Sequence, residues 1–81
     1  MKIDYQPRAI DALEESSPAV RRAFYKQVRL LVNDLRHPSL RAKKYDEVND
    51  IWQARVNRDS RFFFKISGDT YIILDIVPHQ K

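Results

Sequence analysis

Eighty-one residues leave room for one hydrophobic core, which needs roughly 50 residues, and not for two. The chain is 43% hydrophobic and 32% charged, with one glycine, four prolines and no cysteine; this balance predicts a folded domain and excludes a disulfide scaffold, a thiol nucleophile and a cysteine-ligated metal. The formal charge of +4 is polarised: residues 1–17 carry two basic and four acidic side chains, residues 18–81 the other thirteen basic and seven acidic ones, a net of −2 against +6, which points to an anionic partner such as nucleic acid or an acidic protein.

In chain order, Ile3 and Tyr5 alternate with Lys2 and Asp4 as in a short strand that ends at Pro7. Ala9, Ile10 and Leu13 then form the thin apolar stripe of a helix running to about Glu15. Ser17-Pro18 marks a second helix start, because serine can cap free amides and proline in the first turn loses no hydrogen bond. Val20, Phe24, Val28, Leu31 and Leu35 fall on one face of that helix as core residues, while Arg22, Lys26, Arg29, Asn33 and Arg36 form a polar stripe on another. His37-Pro38 stops it.

From there the period changes to that of strands: Leu40 to Tyr45, Ile51 to Arg58, Arg61 to Ser67 and Thr70 to Val77, with a tight turn at Gly68-Asp69. The prediction is a single α+β domain over residues 1–81, two helices on one face of a small, antiparallel-rich sheet. A turn at Asn57-Arg58-Asp59 sets Trp52 opposite Phe64, Ala54 opposite Phe62 and Arg55 opposite Arg61. Like charges directly opposite are unfavourable, so this register suggests an anion that both arginines serve. In the last strand, burying Ile72, Leu74 and Ile76 sends Asp75, and beyond the strand His79, to the arginine side. Lys43 or Lys44 joins them there, with Tyr45, Phe63 and Tyr71 as stacking surfaces.

This constellation has no paired carboxylates and no glycine-rich phosphate loop. With two histidines and no ligand spacing, neither a metal centre nor a cofactor is expected. Its guanidinium and ammonium groups can hold a phosphodiester, and a histidine can move protons near neutral pH. Those are the parts of a metal-free ribonuclease in which the 2′-hydroxyl of the RNA attacks the adjacent phosphate. The start of the chain lacks a signal-peptide pattern and no run approaches the roughly 20 apolar residues of a membrane span, so a cytoplasmic location with no membrane association is expected.

The order of segments carries more than any one of them. His37-Pro38-Ser39-Leu40-Arg41-Ala42-Lys43-Lys44, Ile51-Trp52-Gln53-Ala54-Arg55-Val56, Ser60-Arg61-Phe62-Phe63-Phe64, Gly68-Asp69-Thr70 and Ile76-Val77-Pro78-His79 together resemble the RelE/ParE superfamily of bacterial and archaeal toxins. The resemblance implies the toxin of a type II toxin-antitoxin system, with a cognate antitoxin protein as partner. In the RelE-like branch it implies a ribosome-dependent endonuclease that cuts mRNA without metal. On that footing Arg61 matches the arginine that stabilises the transition state, Arg55 a second basic group of the site, and His79 the near-terminal proton-transfer histidine. Lys43 and Lys44 match a basic pair that grips phosphates, with Gln53 and Phe63 completing the substrate-binding set. Gln53 stands where some nucleases place lysine, and the ParE-like branch poisons DNA gyrase instead, so a gyrase poison or an inactive binding module are the alternatives.

Overall fold

The structure is a computed structural model, and it describes residues 1–78. The elements are β1 (Lys2–Tyr5), α1 (Pro7–Glu15), α2 (Pro18–Asn33), a 3-10 turn (Pro38–Leu40), β2 (Lys43–Asp46), β3 (Ile51–Asn57), β4 (Ser60–Ser67) and β5 (Thr70–Pro78). They form one five-stranded sheet in the order β1-β5-β4-β3-β2, antiparallel except for the parallel pair of β1 with β5. Both helices cover the same sheet face, as their apolar stripes require.

The local chemistry explains the helix boundaries. Ser17 Oγ accepts the Val20 amide at 3.2 Å and Pro18 opens α2. The helix stops at Asn33, short of the expected stop at His37, because the Asp34 carboxylate accepts the Arg36 amide at 3.0 Å and competes with a further helical turn. Between helices and sheet lies an aromatic column. Phe24 meets Phe62 edge-on at 5.3 Å between ring centroids, Phe62 lies 5.7 Å from Phe64, and Phe64 meets Tyr71 edge-on at 5.7 Å. Such geometry adds about 0.5–1.5 kcal/mol per pair beyond area burial. Leu31, Leu40 and Ile73 are fully buried as well, whereas Ile10, assigned to the stripe of α1, is 44% exposed.

The β3–β4 register pairs Trp52 with Phe64, Ala54 with Phe62 and Arg55 with Arg61, as expected. It is reached differently: Asn57 pairs with Ser60 across a two-residue turn, and Val56 is an extra residue on β3. Two expectations are corrected. Leu40 belongs to the 3-10 turn and Arg41 has a left-handed backbone at φ 47°, so β2 starts only at Lys43. In β5, Tyr71 and Ile73 are buried in place of Ile72 and Leu74. The cause is the two-residue turn at Gly68-Asp69, which pairs Ser67 with Thr70, together with a bulge at Leu74. Phe64 pairs with Ile73 and Phe63 with Asp75, so the bulge restores the parity that buries Ile76 and leaves Asp75 on the open face.

Candidate functional site

The open sheet face and the ends of β2, β3 and β4 enclose a cleft of about 200 Å³. Arg41, Lys43, Arg55, Arg58 and Arg61 line it together with Gln53, Asn57 and Ser60, and no carboxylate among the described residues does. Cations clustered in this way create a focused positive potential suited to phosphate oxygens.

Each side chain is placed by the strand alternation. Lys43 pairs with Gln53 across β2–β3, and Arg55 with Arg61 across β3–β4, so these side chains share the face away from the helices. Gln53 is only 7% exposed despite lying on that face. Its Oε1 accepts a hydrogen bond from Arg61 Nη1 at 2.9 Å, which fixes one edge of the guanidinium without neutralising it. Beside this pair, the Tyr45 and Phe63 rings pack at 4.8 Å between centroids, and Tyr45 as a residue is 61% exposed, a platform on which a nucleobase can stack.

Two expected members, Lys44 and Tyr71, are turned away from the cleft. Lys44 points to the opposite sheet face, where its Nζ lies 5.1 Å from the Trp52 ring centroid and pairs with Asp50 and Glu47. The hydrogen bond to Asp50 holds the Lys44 ammonium above the usual lysine range. The reason is the period-2 alternation: of two adjacent strand lysines only one can face the arginines, and that one is Lys43. Tyr71, expected as a stacking surface, is buried in the core against Phe64, and burial raises its hydroxyl pKa. His79 lies outside the described residues.

Besides Arg58 of the β3–β4 turn, which lines the cleft, two residues beyond the sequence-derived set support the site. Gln27 of α2 is 4% exposed and its Nε2 donates to the carbonyls of Arg55 at 2.8 Å and Ser39 at 3.1 Å, while Ser39 Oγ donates to Gln27 Oε1 at 3.2 Å. The Arg55 carbonyl sits beside the Val56 bulge, where the ladder leaves room for a side-chain partner. One glutamine thus ties the helix layer to both the arginine strand and the turn before Arg41. A signal for it existed: Gln27 stands within the stripe of Phe24, Val28 and Leu31, a polar residue on a buried face. Arg41 is the second. It borders the cleft in the left-handed conformation that costs a side chain such as arginine about 1 kcal/mol or more.

Among the described residues no group of three or more His, Asp or Glu side chains is arranged to hold a metal ion, and no helix is long and apolar enough to cross a membrane.

The architecture is that of the RelE/ParE-type toxins, a small mixed sheet with two N-terminal helices on one face. Three solved structures define the likeness. A YoeB/ParE toxin from Agrobacterium tumefaciens superposes with a TM-score of 0.83 over 99% of this chain and 100% of its own, at 14% identity. The RelE of an archaeal RelE–RelB complex from Pyrococcus horikoshii gives 0.79 at 18% identity, over 95% of this chain and 92% of that one. The isolated E. coli RelE toxin gives 0.78 at 13% identity, covering 99% and 85%. No protein-family model matches the sequence, and no curated protein matches it either. At these identities the likeness is one of fold.

Proposed function

We propose that the chain is the toxin of a toxin-antitoxin pair and acts as a ribosome-dependent endoribonuclease on mRNA. The observation that carries this reading is the pairing of Arg55 with Arg61 across β3–β4 in a cleft lined by five cations. In the reaction the 2′-oxygen attacks the adjacent phosphorus and the bond from phosphorus to the 5′-oxygen breaks, leaving a cyclic phosphate and a 5′-hydroxyl. Negative charge builds on the non-bridging oxygens in the transition state. Arg61, oriented by Gln53, is the group that meets it, and Arg55 and Lys43 hold the flanking phosphate. Tyr45 and Phe63 stack the base.

Proton transfer is assigned to His79 on the family resemblance alone, a histidine's ordinary pKa of about 6.5 suiting that role. The antitoxin partner is supported by the shared fold with the RelE that is complexed with RelB in the Pyrococcus horikoshii structure.

The test is expression of the chain alone from a tight inducible promoter, with growth followed and cellular mRNA 5′ ends mapped, beside Arg61→Ala. Growth arrest with new ends in translated messages that vanish in the variant is the expected result. Arrest with intact messages and linearised plasmid DNA would replace this reading with a gyrase poison, and healthy growth would replace it with a binding module.

A further inference from the structure

The cleft does not end at the arginine pair. Arg41, Arg55 and Asn57 form a shared wall between it and a second, shallower hollow of about 510 Å³, whose far side is Ala23, Lys26 and Gln27 of α2 with Ser39. Among the described residues the hollow, like the cleft, is lined by no carboxylate. Arg41, Lys26 and Arg55 are exposed and form no ion pair among the described residues, so their charge is available to a ligand. Lys26 also belongs to the basic stripe of α2, whose purpose the cleft alone leaves unexplained.

We infer that the two hollows form one track for single-stranded RNA, with a second phosphate position between Arg41 and Lys26 beyond the phosphate held at Arg55 and Arg61. The inference rests on the nuclease reading for the identity of the polymer, and on the shared wall for the path. Arg41 is the pivot, because it lines both hollows, and the 3-10 turn that presents it is anchored through Ser39 to Gln27. Its left-handed backbone suits a residue kept for its side chain, since glycine would adopt the same φ at lower cost.

The experiment is binding of uncleavable 2′-O-methyl RNA of eight and of three nucleotides to the full chain, as a function of salt, for wild type, Arg41→Gly and Lys26→Ala. Thermal melting serves as the folding control. Glycine accepts the backbone at position 41 and Lys26 is exposed, so both variants are expected to melt no lower than wild type. On the eight-nucleotide ligand each variant should lose about three- to tenfold in affinity at low salt, and the slope of log K against log salt should shrink by about 0.7, the value for one phosphate of a single strand. The ratio of eight- to three-nucleotide affinity should fall in Lys26→Ala.

An unchanged slope in either folded variant, or no binding of the longer RNA by wild type, overturns the track. Cleavage of translated messages is scored separately. Cleavage with unchanged slopes would retain the nuclease and discard the track, and the expected slopes without cleavage would do the reverse.

Discussion

Replacing Gln27 by methionine keeps the length and most of the volume of the side chain while removing every hydrogen bond it makes. Two donated bonds disappear, to the Arg55 and Ser39 carbonyls, and the Ser39 hydroxyl is left to turn to solvent. A net bond is worth about 0.5–1.5 kcal/mol, and a carbonyl left buried without a partner costs about 1–3 kcal/mol. Water can reach Ser39, which is exposed, more easily than the Arg55 carbonyl beneath α2. The expected loss is therefore about 2–4 kcal/mol, a large fraction of the roughly 4–12 kcal/mol of a domain this size. Urea unfolding of the two proteins side by side measures it, and melting should fall by about 10–25 °C. A loss below about 0.5 kcal/mol would refute the view that Gln27 ties α2 to the site.

Other consequences follow from the same geometry. Arg55→Gln removes one of two opposed like charges and should raise stability by a few tenths to about 1 kcal/mol in urea unfolding at low salt, with the gain shrinking above about 0.1 M salt. Gly68→Ala should cost about 1 kcal/mol, because φ is +59° at the first turn position while nothing lies within 4 Å of an added methyl, so the whole cost is backbone. Hydrogen bonds from the Asn49 side chain and amide hold the Asp46 carboxyl below the usual aspartate range. A depressed folded pKa gives stability that is present above the unfolded value of about 3.9 and is lost as pH falls through the lower folded value. Acid titration of unfolding should therefore show a weaker loss in that window for Asp46→Ala than for wild type.

The residues that reveal the site differ in how they are written in the sequence. Phe62 and Phe64 alternate so plainly with Arg61, Phe63 and Lys65 that the β3–β4 register, and with it the opposition of Arg55 and Arg61, follows from period-2 patterning. The last strand is apolar on both parities, so alternation could not decide whether Tyr71 and Ile73 or Ile72 and Leu74 go inward. The short glycine turn and the Leu74 bulge decided it, and a bulge leaves no mark in composition. Lys43 and Lys44 read as an equivalent pair until the register assigns one to each face. Arg41 was hidden for another reason: β-patterning extends a strand through it, whereas the 3-10 turn after His37-Pro38 places it in a conformation that its side chain does not favour.

The central claim is that Arg61 stabilises a phosphate attacked by the neighbouring 2′-hydroxyl. The direct measurement uses purified chain, ribosomes and a message carrying a single 2′-deoxynucleotide at the mapped cut site, with wild type and Arg61→Ala compared in single turnover. The account predicts that the all-ribose message is cut to a cyclic phosphate, that the deoxy substitution abolishes the cut at that position, and that Arg61→Ala slows it by about a hundredfold or more. Cleavage that persists at the deoxy position, or that proceeds at the wild-type rate in Arg61→Ala, would contradict it.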